Sequence, residues 1–289
     1  MKIKIFLIVF FVGNTFLAMS QKEVKGRIVN RIDNKPVSYA SVGLVKENSG
    51  TTADENGYFL IYSKYPVDSI LVSSVGFVNK IIAIANFKNE NEIKLDENEK
   101  LLNAVIIKNK SKEKKIVLNH FSNCGMNFYD VAKGAYFQVA QYFDAPDSNM
   151  FISEINLCKE AGDCIFHIRI YGMDPLTGKP STDLTDSVIE VKSSKRNIII
   201  DMEKYGIRIP GKGFFIAVEW LFIPYNAYTT KTKLKYVFKS YHPSISFRKK
   251  ANPETDANNP WILNYNGKWS LSYPIDRNKQ FLISATLRH

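Results

Sequence analysis

The chain has 289 residues, of which 45% are hydrophobic, and its formal net charge at pH 7 is +11. The length suits one large domain or two of ordinary size. The apolar fraction is high enough to build hydrophobic cores, and it excludes an intrinsically disordered chain.

The N-terminus has the anatomy of a secretory signal peptide over residues 1–20. After a basic head, an unbroken apolar run covers residues 5–12, and Ala18 and Ser20 are small residues spaced for signal peptidase. The run is shorter than the roughly 20 residues that a transmembrane span needs. We therefore expect cleavage before Gln21 rather than a retained anchor. No cysteine lies near this point to carry a lipid, and no later stretch of the sequence is apolar enough to span a bilayer.

Removal of the two lysines in the signal leaves a net charge of about +9. A basic balance can indicate nucleic acid as a partner. An exported protein rarely meets nucleic acid, so we expect no nucleic-acid partner. Among partners, an anionic envelope surface fits the charge better, but the interpretation that we favour is a solvated lysine-rich surface with no such partner.

Short strands separated by turn signals are predicted between residues 24 and 95. The segments VKGRIV and YASVGLV alternate in polarity and are separated by a turn around Pro36. Asn56 and Gly57 tolerate positive φ angles, as the tight turn of a hairpin requires. Strands at this spacing are typical of a β-sandwich.

Several motifs in this segment occur together in one known family. They are GRIV at 26–29, Pro36 followed by Ala40 and Val42, TTADENGYF at 51–59, and VSSVGF at 72–77. Residues 22–107 therefore resemble the carboxypeptidase-like regulatory domain, a transthyretin-like (prealbumin-like) β-sandwich. The resemblance implies a module without catalytic residues. In gram-negative envelopes this module often precedes the plug and barrel of TonB-dependent receptors, and it also occurs alone or before other exported domains.

A lysine-rich linker is predicted at residues 108–115, after a short trailing strand at 101–107. Its density of positive charge keeps such a segment extended by self-repulsion. The alternative is an arm that docks on a polyanion.

Residues 116–289 are too few for a transporter barrel, and they are predicted to form a second, larger, jelly-roll-like β-sandwich. Many apolar and polar residues alternate in this region, as in half-buried antiparallel strands. Residues 168–222 also resemble a sandwich domain that follows regulatory domains in some exported proteins. That domain belongs to an uncharacterised family, so the likeness implies architecture and no activity. The chain as a whole is expected to be all-β.

The three cysteines are predicted to form one disulfide, because export places them in an oxidising compartment. Cys158 and Cys164 flank the segment KEAGD, which resembles a hairpin loop. Two cysteines that face each other across a hairpin can meet disulfide geometry. We therefore expect a Cys158–Cys164 bond, with Cys124 left over.

Sequence templates for enzymes are not met. The chain has no His-Glu-x-x-His, no Gly-x-Ser-x-Gly, no phosphate loop and no dinucleotide fingerprint. The four histidines lie far apart and have no metal-ligand spacing, at positions His120, His167, His242 and His289. We expect no catalytic residues, no metal and no cofactor.

Glu219 is the one carboxylate that the pattern singles out. It lies in the apolar strand GFFIAVEWLF, and alternation puts it on one face with Phe215, Ala217 and Leu221. A buried glutamate is costly unless it is paired, so Glu219 could be tuned for acid–base chemistry. We favour the structural interpretation, in which a Lys or Arg pairs with it.

Aromatic residues near turns suggest a carbohydrate site. The segment NPWILNYNGKW places Trp261, Tyr265 and Trp269 around an Asn-Gly turn, with Asn264, Asn266 and Lys268 as polar neighbours. Jelly-roll domains often stack loop rings on sugars, and polar groups bond the hydroxyls. The turn is expected to bring the tryptophans onto neighbouring strands, with Tyr265 near its tip. The alternative is that both tryptophans pack into the core and only Tyr265 is exposed.

Two functions fit these features. One is an exported, non-catalytic binding protein of the cell envelope whose partner is a glycan or an anionic envelope surface. The other is a structural or assembly protein that docks onto another outer-membrane or secreted protein. Exposed loop rings favour the first function, and a continuous apolar patch on either sandwich favours the second. The expected location is the periplasm, the outer-membrane face or the exterior.

Export is tested by the intact mass of the protein purified from its native host. We expect a chain that begins at Gln21, because signal peptidase cleaves after the small residue Ser20. A soluble cytoplasmic fraction that retains Met1 would contradict the prediction.

Overall fold

The fold was determined from a computed structural model. It describes residues 21–65, 68–87, 91–98, 115–132, 136–147, 150–209, 211, 213–231, 237–250, 259–272 and 278–289. The predicted signal peptide, the strand at 101–107 and all of the predicted linker except Lys115 lie outside these ranges. The described residues form strands and three short 3-10 helices, so the all-β prediction is confirmed. No helix in these ranges is long and apolar enough to cross a membrane.

The N-terminal sandwich is built from seven strands in two sheets. They are β1 (Lys22–Asn30), β2 (Ser41–Leu44), β3 (Ser49–Thr52), β4 (Tyr58–Ser63), β5 (Ser69–Ser73), β6 (Lys80–Ala83) and β7 (Asn91–Leu95). One sheet has the order β4-β1-β7, in which β1 is antiparallel to β4 and parallel to β7, and the other has the order β3-β2-β5-β6. Inward side chains such as Ile28, Val42 and Leu95 form one buried core.

The predicted turn before β4 is confirmed. Gly57 has a φ angle of +80°, and a Cβ atom there would collide with the carbonyl oxygen of Ile28. Asp54 closes the turn, since its Oδ1 accepts hydrogen bonds from the N–H groups of Asn56 and Tyr58 at 2.9 and 2.8 Å. This position therefore requires glycine for both conformation and space.

The C-terminal sandwich contains the other fifteen described strands. They are β8 (Ile116–Leu118), β9 (Phe128–Ala132), β10 (Gln138–Asp144), β11 (Phe151–Cys158), β12 (Cys164–Met173), β13 (Pro180–Asp183), β14 (Ile189–Ser193), β15 (Asn197–Asp201), β16 (Gly213–Trp220), β17 (Ala227–Lys231), β18 (Val237–Lys249), β19 (Trp261–Leu263), β20 (Trp269–Leu271), β21 (Lys279–Phe281) and β22 (Ile283–Arg288). The 3-10 helices are Ile84–Asn86, Glu203–Tyr205 and Pro224–Asn226.

Three sheets enclose the core of the C-terminal sandwich. The largest has the order β13-β12-β16-β10-β19-β20, with β14 also paired to β12; the second is β15-β11-β22-β8; the third is β17-β18-β21, with β9 paired to β18. Strand β16 is buried along its whole length. As alternation predicted, Ile216, Val218 and Trp220 face the main core, whereas Phe215 and Ala217 face a second cluster that includes Trp261.

The disulfide prediction is wrong. The bond joins Cys124 to Cys158, whose Cα atoms are 5.5 Å apart, and Cys164 is a buried free thiol. The reason is topological. Cys158 ends β11 and Cys164 begins β12, and these strands belong to different sheets. The segment between them is therefore a crossover and not a hairpin, and Cys164 pairs with Ser193 of β14.

The two sandwiches pack closely together. Tyr265 of the C-terminal sandwich lies against Gly43 and Gly50, and a Cβ atom at Gly50 would collide with the tyrosine ring. The Phe222 N–H donates to Thr52 Oγ1 at 3.1 Å across the same interface. Glycine at position 50 therefore lets the backbone of one sandwich approach a ring of the other.

Peptide mapping under non-reducing conditions tests the disulfide. We expect Cys124 linked to Cys158 and Cys164 as a free thiol. A Cys124→Ala substitution should lower the free energy of unfolding by about 4 kcal/mol, because it opens a covalent loop of about 35 residues. As the control, Cys164→Ala should cost only about 1 kcal/mol of buried contact. Recovery of a Cys158–Cys164 peptide would refute this assignment.

Candidate ligand cleft between the two sandwiches

The predicted hairpin around residues 261–269 is present. Strand β19 pairs with β20 so that Leu263 is opposite Trp269, and the Asn264 N–H donates to the Lys268 carbonyl oxygen at 3.1 Å. Gly267 has a φ angle of +78°, which closes the turn. The turn brings Trp261 and Trp269 onto neighbouring strands, as the sequence predicted.

Two of the three rings are buried: the expected exposure of Tyr265 is wrong, and Trp261 follows the alternative of core packing. Tyr265 is 1% exposed and packs between Phe137 and Phe222, with ring centroids 5.2 and 6.3 Å away. Trp261 is 7% exposed. Both are covered, and Tyr265 is covered because the N-terminal sandwich lies over the turn. Neither ring can offer its face to a sugar.

The polar neighbours in this turn mostly hold the turn itself. Asn264 Nδ2 donates to the Lys268 carbonyl oxygen at 3.0 Å and to Ser270 Oγ at 2.8 Å. Asn264 Oδ1 accepts from Asn48 Nδ2 of the N-terminal sandwich at 3.2 Å. Of these three polar neighbours, Lys268 is exposed and Asn266 is half-buried. The role of Asn264 is therefore in the turn and the interface between sandwiches.

Trp269 is the ring that remains accessible. It is half-buried and makes an edge contact with Tyr171, with ring centroids 5.1 Å apart. Both rings line a cleft of about 820 Å³ between the sandwiches, which we call the interdomain cleft. Its opposite wall is the connection between β5 and β6, and includes Ser74, Phe77 and Asn79. The cleft thus combines aromatic faces with hydroxyl and amide groups.

Charged and polar side chains form the base of the interdomain cleft. Arg169 donates to Asp183 Oδ2 and, at 3.4 Å, to Glu219 Oε2. Tyr171 Oη donates to Gln138 Oε1 at 2.8 Å. Arg169, Tyr171, Gln138 and Asp183 line the cleft, whereas Glu219 supports them from behind.

Glu219 has the cationic partner that the structural interpretation required. Besides Arg169, His167 Nδ1 lies 3.5 Å from Glu219 Oε2, and Ser41 Oγ donates to Glu219 Oε1 at 3.2 Å. Ser41 belongs to β2, so this carboxylate bonds both sandwiches. Three partners on two strands, β12 and β2, therefore fix one buried charge.

The pKa values of this cluster keep its ion pair charged. Burial alone would raise the pKa of Glu219, but the Arg169 guanidinium and then His167 hold it well below its ordinary value. Burial alone would lower the pKa of Arg169, and its anionic neighbours raise it above its ordinary value instead. Burial raises the pKa of the Tyr171 hydroxyl. At neutral pH, Glu219 is thus an ionised acceptor and not a proton donor.

Several cleft residues were missed by the sequence analysis, and one signal could have found them. In the segment HIRIY, His167, Arg169 and Tyr171 alternate with Ile168 and Ile170. The isoleucines face the main core, so the polar side chains share the opposite face. Asp183 carries no comparable local signal. Within the described ranges, no cluster of three His, Cys, Asp or Glu side chains has the geometry to hold a metal ion.

Comparison with known proteins identifies part of the chain. A family model described as the CarboxypepD_reg-like domain matches residues 24–107. No curated protein matches the chain.

Several solved structures are similar at low identity, among them the following three. Two are of the cysteine protease Cwp84: a clostridial protein after propeptide cleavage, and the cysteine protease and lectin-like domains of the surface-layer-associated protein from Clostridium difficile. Each is 13% identical over 83% of this chain, with 51% and 46% of their own lengths covered and TM-scores of 0.38 and 0.35. This chain thus spans about half of either. The third, a DUF3823 family protein from Parabacteroides merdae, is 11% identical over 78% of this chain and 98% of its own, with a TM-score of 0.19.

The buried ion pair is tested by Glu219→Gln. We expect a loss of about 3 kcal/mol in the free energy of unfolding at pH 7, because Arg169 loses one of its two carboxylates. Folding lowers the pKa of Glu219, so its stabilisation is fully present above the ordinary value of 4.5 and is lost as the pH falls below it. The difference in stability between the variant and the parent should therefore shrink as the pH falls from 4.5 towards 3.

Chemical denaturation between pH 3 and pH 7 measures this effect. Glu190→Gln on β14, an exposed carboxylate of a neighbouring strand, is the matched control and should change stability little. Equal stability of Glu219→Gln and the parent at pH 7 would show that the ion pair does not stabilise the fold.

Proposed function

We propose that this chain, whose residues 24–107 are a CarboxypepD_reg-like domain, is an exported, non-catalytic binding protein of the cell envelope that holds a carbohydrate in the interdomain cleft. The observation that carries the proposal is the half-buried ring of Trp269 above a base of hydrogen-bonding side chains. The sequence hypothesis placed ring stacking at the tip of the turn, whereas this proposal places it at Trp269 in the adjoining cleft.

The chemistry of the interdomain cleft suits a sugar. An indole face packs on the C–H groups of a pyranose ring, and amide, hydroxyl and carboxylate groups bond its hydroxyls. The cleft offers Trp269 for the first role and Gln138, Asp183, Asn79 and Ser74 for the second. Its volume of about 820 Å³ lies in the range of small-molecule sites.

Binding without catalysis is supported by the state of the carboxylates. Glycosidases need one carboxyl group that is protonated near neutral pH. Glu219 is held ionised by Arg169, and Asp183 bonds the same guanidinium. The matched family is also a regulatory-type domain by its description.

Export is part of the proposal and depends on the predicted signal peptide at residues 1–20. A cell-envelope location would bring the interdomain cleft into contact with surface glycans. Such ligands are repetitive, so weak binding at one site can be strengthened by multivalency.

The carbohydrate site is tested by Trp269→Ala. A glycan array with the mature parent protein first identifies a ligand, and calorimetry then measures its affinity for each variant. We expect binding to weaken about fivefold, because one stacked ring contributes about 1 kcal/mol. Tyr225→Ala, an exposed ring that does not line the cleft, should leave the affinity unchanged.

Two outcomes would contradict the carbohydrate site. One is a glycan array on which the parent protein binds nothing. The other is a Trp269→Ala protein that keeps its affinity but loses several kcal/mol of stability, which would make the ring purely structural.

A further inference from the structure

Strand β4 forms an open edge of the N-terminal sandwich. It is the terminal strand in the order β4-β1-β7, and its only strand partner among the described residues is β1. In an antiparallel pair, alternate residues direct their backbone groups toward the partner strand. The Ile28 N–H donates to the Gly57 carbonyl oxygen at 2.9 Å, which fixes that alternation. Residues 59, 61 and 63 therefore bond to β1.

The backbone groups of Leu60 and Tyr62 point to the open side. Neither residue has a backbone hydrogen bond to any described group on that side. Tyr58 differs, because its N–H donates to Asp54 Oδ1 and its carbonyl oxygen accepts from the Asp54 N–H, both at 2.8 Å. An added strand would therefore find two residues with free donors and acceptors, next to a turn that ends the edge.

The side chains of β4 leave this edge unprotected. Tyr58, Leu60 and Tyr62 are 55%, 44% and 51% exposed. Natural proteins protect open edges with charged residues, proline or bulges. The opposite edge of the same sheet, β7, carries Glu92 and Lys94. Strand β4 has an apolar row instead.

A groove runs beside this edge. It has a volume of about 1160 Å³, and its far wall is formed by Phe222, Ile223 and Pro224 of the C-terminal sandwich. One wall of the groove is the edge of a strand and the other is an apolar loop, so the space between them suits a single extended chain. The edge strand of a second folded copy is attached to a whole sandwich, which would collide with the far wall.

The charges along the groove favour an acidic ligand. Arg27 and Lys239 line it and have no ion pair with a described residue. Of the carboxylates there, Glu92 lies 3.5 Å from Lys94, whereas Asp54 accepts neutral backbone N–H groups and keeps its charge. The cationic side chains that line the groove still outnumber the carboxylates, because Lys25 lines it as well.

We propose that β4 binds an extended acidic segment of a partner protein by strand addition. Main-chain bonds to Leu60 and Tyr62 give the affinity, alternate side chains of the segment lie on the tyrosines or in the groove, and its carboxylates meet Arg27 and Lys239. This surface is separate from the carbohydrate proposal.

The probe is a synthetic peptide of about nine residues in which Thr and Val alternate and each end carries Glu; a second peptide carries Lys at the ends. Hydrogen exchange of the mature chain is followed with and without each peptide. We expect the Leu60 and Tyr62 amides to become about tenfold better protected with the Glu peptide. The Lys peptide should have little effect, because like charges meet in the groove.

Two kinds of variant separate backbone bonding from charge. Leu60→Pro removes the outward N–H without touching the bonds to β1, and should weaken binding about fivefold to tenfold. Arg27→Gln combined with Lys239→Gln should weaken binding of the Glu peptide and reduce its dependence on salt. Lys195→Gln combined with Lys204→Gln, at two exposed lysines that do not line the groove, is the matched control and should bind as the parent does.

Several results would overturn the proposal. They are equal binding of the Glu and Lys peptides, unchanged protection of Leu60 and Tyr62, or full binding by a folded Leu60→Pro protein. Protection of these amides that rises with protein concentration alone would assign the edge to a second copy instead. If Leu60→Pro does not fold, the test rests on the protein with both Arg27→Gln and Lys239→Gln. Binding of the Glu peptide by that protein with the affinity of the parent would count against the proposal.

Discussion

The burial of Glu219 is the constraint that links the core of the C-terminal sandwich to its contact with the N-terminal one, because this carboxylate pairs with Arg169 in its own sandwich and accepts a hydrogen bond from Ser41 of the other. A carboxylate removed from water costs several kcal/mol unless opposite charge and hydrogen bonds surround it. Glu219 lies on the central strand β16, where it is almost fully buried. Arg169 on β12 supplies the charge, and Ser41 on β2 supplies a bond from the other sandwich. Separation of the sandwiches would remove the hydrogen bond from Ser41 and leave the Glu219 carboxylate with the partners of its own sandwich.

The geometry of the interdomain cleft follows from the same cluster. Arg169 also binds Asp183 on β13, so one guanidinium positions two carboxylates on different strands. The planar guanidinium is suited to this task, because its donors are fixed relative to one another. Gln138 and Tyr171 extend the hydrogen-bonded surface toward Trp269. The cleft therefore has a rigid base, which lowers the entropic cost of holding a ligand.

Local patterns predicted local structure well. The turn at Gly57, the two faces of β16 and the hairpin between Trp261 and Trp269 all depend on residues close in sequence, and all are found. The disulfide pairing was not predicted, because it depends on a crossover of the chain from one sheet to another. The segment after Cys158 resembles a hairpin loop, yet it joins strands of two different sheets. The disulfide partner of Cys158 is instead Cys124, 34 residues earlier in the chain. No local signal distinguishes these two connections.

Exposure was predicted least well, because it depends on contacts between sandwiches. Tyr265 occupies a polar turn, which ordinarily indicates exposure, but Gly50 lets the other sandwich cover it. The sequence criterion was that exposed loop rings favour ligand binding and a continuous apolar patch favours docking. In the structure, Trp269 retains partial exposure beside the interdomain cleft, and the apolar row lies on β4.

Neither surface belongs to one sandwich alone. The interdomain cleft is lined by the β5–β6 connection on one side and by Trp269 on the other, and the groove beside β4 is completed by residues 222–224 of the C-terminal sandwich. Likeness of the first domain to a known family can therefore assign its fold, but it says little about either surface. Binding at both would depend on the buried contacts that hold the sandwiches together, since a shift of one sandwich moves a wall of each. Both proposed sites are thus properties of the two-sandwich arrangement rather than of either unit.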